Sequence, residues 1–409
     1  MSTLPHPRRS TASTLRRAPQ RLGAALLTSV LLTSCAGVSA QAARPAAAPR
    51  PSTLFAPPTH SPGSPRRDAA TGQIPALLDP HDLYAADRPG MLSPTAARAR
   101  PLIYVPNSGG DSVTVIDPAT YTVLTTVRTG LQPQHVTPGY DQQTLWVDND
   151  KANSLTPIDP RTGAFGTAIP VDDPYNLYFT ADGAHAVVVA EQLQELDFRD
   201  PHTMALQHRL QVPCNGVDHM DFSADGTHAL VSCEFGAKMI WVDMVHQSVL
   251  QSIALPAGSM PQDVKTSPDG HTFYVADMVH GGLYTLDAET LAVTGFITTG
   301  SNAHGIYVSR DSKNLYVSNR RGQSVSVVSV ATNTVTATWP IPGGTPDMGG
   351  ISADGTVLWL AGRYSGEVYA LDTTDGHLLG RIKVGSQPHG ICVWPQPGRY
   401  SLGHTGLQR

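Results

Sequence analysis

The chain has 409 residues, with 28 lysines and arginines against 33 aspartates and glutamates and modest aromatic (6%) and charged (15%) fractions. Five of those arginines fall in the first 34 residues, so the remainder carries 23 basic against 33 acidic groups. That balance excludes nucleic acid as the ligand, because phosphate binding needs a basic face.

In chain order, residues 1–34 carry Arg8, Arg9, Arg16, Arg17 and Arg21, no acid, and the apolar stretch LGAALLTSVLLTS (22–34). This is a secretory signal peptide, too short and wrongly flanked for a spanning helix. Leu32-Thr33-Ser34-Cys35 resembles the bacterial lipobox, which implies that Cys35 is acylated and anchors the mature chain to a membrane. An ordinary signal with an incidental cysteine is the plainer alternative. The Arg16-Arg17 pair is followed by Ala-Pro-Gln, so general secretion is expected, delivering the chain to the periplasm or cell envelope. Residues 35–100 then read as a lipidated cysteine and a Pro/Ala-rich linker. Within it, Ala76 to Met91 carries Leu77, Leu78, Leu83 and Tyr84, which are expected to dock on the side of the domain that begins near residue 101.

From about residue 102 one pattern recurs seven times. The strands IYVPN, LWVDN, VVVAE, VSCE, FYVAD, LYVSN and LWLAG end at Asn107, Asn149, Glu191, Glu234, Asp277, Asn319 and Gly362, at spacings of 42 or 43 residues. Tandem copies of one supersecondary unit bury a continuous core by stacking. The copy from Gly300 to Ile341 shows the unit: an inner strand AHGIYVS (303–309), a hairpin, NLYVSN (314–319), the alternating SVSVVS (324–329), and an outer strand from Val335. Other copies fill the hairpin with TADG (180–183), SADG (223–226), SPDG (267–270) and SADG (352–355), where glycine supplies the positive φ of the turn. Four short strands per unit predict an all-β, seven-bladed propeller over 101–409, expected as a monomer. Closure follows from the offset start: HGICVW (389–394) supplies the inner strand of a composite blade with the strands of 102–128, removing the open edges. The tail RYSLGHT (399–405) competes for that place and is expected to pack outside.

The loops leading into the inner strands and those joining second to third strands share one face of such a blade. His135, His219, His304 and His389 begin inner strands 84 or 85 residues apart, so a histidine falls on every second blade and His135 meets His389 across the closure. Gln262 and Asp347 take the matching places between them. With Asn107, Asn149, Glu191, Glu234, Asp277, Asn319 and the basic Arg363 they form a candidate ligand-binding ring, with His135 and His389 as its centre and as candidate metal ligands. The same residues also have a purely architectural reading, as polar groups bonding one another and water round a wet axis. Cys214 and Cys233 lie at facing ends of adjacent strands and predict a disulfide in an oxidising compartment; Cys392 reads as a buried thiol. Met260, Met278, His280 and Met348 also fall on this face, but no fixed-spacing metal motif accompanies them. Nucleophile-elbow, phosphate-loop and zinc-protease signatures are absent from the sequence.

At IYVPNSGGDSVTVIDPAT (103–120), LYVSNRRGQSVSVVSVAT (315–332) and GSQPHGICV (385–393) the chain resembles the YVTN-type β-propeller repeat family. The resemblance implies the fold, and relates it in architecture to haem d1 domains and propeller lactonases. Two functions are then open. One is an exported, lipid-anchored module binding a small molecule or protein. The other is an enzyme or cofactor protein, a lactonase-like hydrolase or a binder of haem d1 or a metal ion through the histidine ring.

Overall fold

The computed structural model describes residues 72–404 and 406–409; the predicted signal and Cys35 lie outside that range. Seven sheets of the expected type are present. The first blade is the composite one: Cys392–Trp394 pairs antiparallel with Leu102–Asn107, followed by Ser112–Asp117 and Thr122–Arg128. The next six blades have inner strands at Pro133–Pro138, Asn176–Phe179, Val217–Phe222, Pro261–Thr266, Ala303–Val308 and Pro346–Ile351. Among the described residues the only helical elements are three single 3-10 turns, and no helix is long and apolar enough to cross a membrane.

The burial pattern explains why the repeats read as they do. Leu102–Asn107 is buried at every position, whereas the outer strand Thr122–Arg128 is exposed almost throughout. Second strands are covered on both faces by neighbouring blades, so sequences such as AVVVA (186–190) and VLWLAG (357–362) are near-continuous apolar runs, whereas the buried inner strands, such as PQHVTP (133–138) and PQDVKT (261–266), carry polar residues toward the axis. In the hairpins Gly183, Gly226, Gly270 and Gly355 have φ between +67° and +80°, as the Asp-Gly turns require. The second blade departs from the rest. Pro157 lacks an N–H in its third strand, and the outer strand is broken into Ala164–Phe165 and Ile169–Pro170 on either side of it.

Two expectations about the ends of the domain are corrected. The tail does not pack outside: Ser401–Gly403 pairs with the channel-facing edge of Asn176–Phe179, and Leu407–Gln408 pairs back on it, so the third blade has six strands. The inner edge of an inner strand is an unpaired ladder facing the axis, and the tail satisfies it. Gly403 fits because a Cβ there would meet the Leu177 carbonyl oxygen at 2.5 Å. The Ala76–Met91 segment docks, but across the hairpin face rather than on the side. The Leu83 amide donates to the Pro268 carbonyl at 2.7 Å, and the Ser312 hydroxyl donates to Asp82 at 2.9 Å. Tyr84 donates to the Thr266 carbonyl at 2.8 Å and carries the Arg409 guanidinium 4.7 Å above its ring. Both segments therefore lie over that end of the axis.

Candidate functional site

A backbone irregularity aims the ring residues. In five blades the register between inner and second strand breaks after the first inner-strand residue and resumes three residues on. His135, His219, Gln262, His304 and Asp347 all fall within that break, which frees their side chains to turn toward the axis. Bulges of this kind re-aim side chains at functional sites.

The result is a polar basin of about 310 Å³ on the predicted face, with His304, His389, Glu191, Glu234, Gln262 and Arg363 among its lining groups. Gln134, Tyr175, Met278, Arg320 and Tyr364 complete it. Glu191 and Glu234 come from the third and fourth blades, Arg320 and Arg363 from the sixth and seventh, so acid and base face each other across the axis. Burial, reinforced by Asp218, pushes Glu191 up to about 8 and Glu234 to about 7. Arg320 Nε donates to Asp347 Oδ1 at 2.9 Å. Arg363 has no carboxylate within ion-pair distance among the described residues and donates to Ser108 Oγ at 3.3 Å.

Beneath the basin the imidazoles pack ring to ring. His135 and His389 are neighbours at 4.9 Å between centroids, as the two-blade spacing requires. A fifth ring joins them from the tail: His404 lies 5.2 Å from His135 and 4.9 Å from His219. His135, His219 and His404 bring one donor atom each within 4.8 Å of one another. His135 Nδ1 donates to the Tyr175 carbonyl at 2.9 Å, which leaves Nε2 as the bare nitrogen. His389 Nδ1 engages Asp347 Oδ2 at 2.7 Å, and His304 Nδ1 sits 2.9 Å from Met348 Sδ. His219 Nδ1 is 2.7 Å from Asp218 Oδ2, off the angle a hydrogen bond needs. Nε2 of His135, His219, His389 and His404 is buried without a partner among the described residues. Burial holds His135, His304 and His404 well below the ordinary imidazole value and His389 down at about 4. For His219 burial acts the same way, but Asp218 and Asp263 outweigh it and raise the ring. Burial opposes the charge of Asp347, but Arg320, His304 and His389 hold it well below the usual carboxylate range.

Several predicted ring members do other work. Asn107, Asn149 and Asn319 turn back into their blades: Asn319 Nδ2 donates to Ser324 at 3.2 Å and Ser326 at 3.0 Å, and Asn107 and Asn149 make the equivalent pairs. Asp277 accepts from the amides of Met260 (2.8 Å) and His280 (2.7 Å). These four are blade staples, because a polar group ending a buried strand takes the nearest donors or hydroxyls in its own sheet. Residues that sequence reasoning passed over are Tyr175, Gln134, Tyr364 and His404. His404 alone had a signal, the strand-like RYSLGHT, but that segment carries no repeat partner to place it. Cys214 and Cys233 are joined with Cα atoms 5.1 Å apart, and Cys392 is a buried free thiol.

A tetrapyrrole does not fit these residues. Haem pockets present apolar walls to the macrocycle, whereas this basin is small and lined almost wholly by charged and hydrogen-bonding groups.

A family model described as a YNCE-like beta-propeller matches residues 69–398. Comparison with curated proteins gives no match. Among solved structures, Kuenenia stuttgartiensis hydrazine synthase is similar over 68% of this chain and 94% of its own, with a TM-score of 0.59 and 19% identity. The dihydro-heme d1 dehydrogenase NirN aligns over 75% of this chain and 77% of its own (TM-score 0.56, 16% identity). A putative 6-phosphogluconolactonase from Bacteroides uniformis aligns over 71% and 98% (TM-score 0.57, 18% identity). At such identities the likeness shows the fold alone, and these folds carry unrelated chemistries.

Proposed function

The chain belongs to the YNCE-like β-propeller family, and on that footing we propose that it is an exported, lipid-anchored binding module whose basin captures a small, hydroxylated organic anion. The observation that carries this reading is the charge arrangement of the basin. Arg363 offers a guanidinium with no carboxylate partner among the described residues, which suits bidentate capture of a carboxylate or phosphate. Across the axis Glu191, pushed up to about 8, keeps most of its proton at neutral pH, and Glu234, at about 7, is about half protonated, so the pair repels an anion less than two ordinary carboxylates would. They serve instead, with Gln134 and Gln262, as hydrogen-bonding groups for hydroxyls. Calorimetric titration with a panel of sugar acids and hydroxy acids tests it. A hit in the micromolar range should weaken at least about tenfold in Arg363→Ala, one lost charge-assisted bond. Affinity that survives Arg363→Ala contradicts the anion-capture reading.

The raised carboxyls favour one other reading, a hydrolase of the lactonase type, since a carboxyl poised near neutrality is a general acid or base. Acid release from sugar lactones that vanishes in Glu191→Gln or Glu234→Gln would replace binding with catalysis. Anchoring rests on the sequence pattern at Cys35. Cys35→Ala should block acylation and either release the protein from the membrane fraction or strand the unprocessed precursor; a variant that stays bound and normally processed contradicts a lipid anchor.

A further inference from the structure

We infer that His135, His219 and His404 bind one borderline divalent cation, Zn²⁺ or Cu²⁺, at the propeller axis, with the C-terminal tail supplying the third ligand. The site is independent of the anion proposed for the basin above it.

Three imidazoles from three unconnected parts of the chain converge here, two from inner strands and one from the tail. Their donor atoms lie within 4.8 Å of one another. Three nitrogens each about 2.1 Å from one tetrahedral ion stand about 3.4 Å from one another. Binding therefore draws each ring in by up to about 0.7 Å, within reach of side-chain rotations. All three Nε2 atoms are buried and lack any hydrogen-bond partner among the described residues. A buried polar atom left unpaired is costly, and several aimed into one space mark a missing partner.

The surroundings are those of a ligand set. The Tyr175 carbonyl fixes the His135 tautomer with Nε2 bare. Asp218 stands 2.7 Å from His219 Nδ1, off the hydrogen-bond angle, and Asn176 Oδ1 lies 3.3 Å from His404 Nδ1, which as donor leaves Nε2 bare. Metal-binding histidines are oriented in this way, by a carbonyl, carboxylate or amide at the second ring nitrogen. Asp218 beside His219 supplies a carboxylate near the cation's charge. An all-imidazole donor set suits late first-row divalent ions and offers nothing to Mg²⁺ or Ca²⁺, which require oxygen ligands. Three protein ligands leave a further coordination position, the pattern of an ion that also takes a water or an exogenous ligand.

The tail is built to deliver its ring. The Ser401 amide donates to the Tyr140 carbonyl and its hydroxyl to the Pro138 carbonyl, both at 3.0 Å. The His404 amide donates to the Leu177 carbonyl at 2.7 Å, and His404 itself takes φ +49°, a left-handed conformation that most side chains avoid.

That conformation supplies the test. Asparagine tolerates the left-handed region, so His404→Asn removes the imidazole without straining the turn. Full-length protein stripped with a chelator is titrated with Cu²⁺ and followed by electron paramagnetic resonance, then challenged with Zn²⁺. One tight equivalent showing coupling to three imidazole nitrogens, displaced by Zn²⁺, is expected. Zn²⁺ should also raise the melting temperature of the native protein. His404→Asn should lose the tight equivalent, at least about 100-fold in affinity, and the Zn²⁺-induced thermal shift. His280→Ala, at the exposed rim, should keep both. Should His404→Asn not fold, His219→Gln reads the same loss. No tight equivalent in native protein, which would leave the rings bonded to water, overturns the inference. So does an equivalent that survives both variants or departs with His280.

Discussion

At the scale of single residues the axis is defined by imidazoles, most of them kept neutral by burial. His389 is held at about 4 against an ordinary 6.5. The unfolded chain takes up this proton first, so the contribution is complete above pH 6.5 and is lost as the pH falls toward 4, up to about 3 kcal/mol. His135, His304 and His404 act in the same direction, and His219, whose ring is raised, in the opposite one. The urea midpoint of metal-free protein should therefore drop between pH 6.5 and 4.5, and less steeply in His389→Gln. Equal slopes in the two proteins would show that His389 is already charged in the fold. Residue roles were only partly legible in the sequence. The histidine periodicity located His135, His219, His304 and His389 because a bulge repeats with the blade. Asn107, Asn149 and Asn319 looked equivalent to Glu191 and Glu234 because all end second strands. What separates them is the third strand: the asparagines have hydroxyls five and seven residues on, at Ser112 and Thr114, Ser154 and Thr156, and Ser324 and Ser326, and turn to meet them. The carboxylates lack that pair and remain at the basin.

At the scale of elements, strand order, hairpins and the composite closure follow from the repeat, since each copy specifies its own pairing. The tail does not repeat anything. RYSLGHT reads as a strand, and its partner, the axial edge of Asn176–Phe179, is announced by no sequence pattern. Tyr400, Leu402 and Leu407 are nearly fully buried there, each contributing about 2 kcal/mol. Ending the chain after Pro395 keeps Cys392–Trp394 in the composite blade, so this variant should fold with a lower melting temperature. Ending it after Pro388 removes that strand, leaves Leu102–Asn107 without an inner partner, and should abolish cooperative unfolding. Indistinguishable melting curves for the two would contradict the composite blade. The Cys214–Cys233 link spans 19 residues, and Cys233→Ala should cost about 3 kcal/mol by loop entropy. A urea midpoint unchanged from the native protein would mean the thiols are reduced in solution.

At the scale of the whole molecule, the tail and the Ala76–Met91 segment lie over the hairpin face, and the basin opens at the opposite end of the axis. A ring of blades supplies convergent side chains but no chemistry of its own, which is why its relatives in architecture differ so widely. Here the chemistry comes from what converges: acid and base across the basin, and bare imidazole nitrogens below it. The most direct measurement is anomalous diffraction at the zinc edge from crystals of the full-length protein grown with one equivalent of Zn²⁺. A single peak about 2.0–2.1 Å from imidazole nitrogens of His135, His219 and His404 is predicted. A peak confined to exposed residues such as His280, or no peak at the axis, would contradict it.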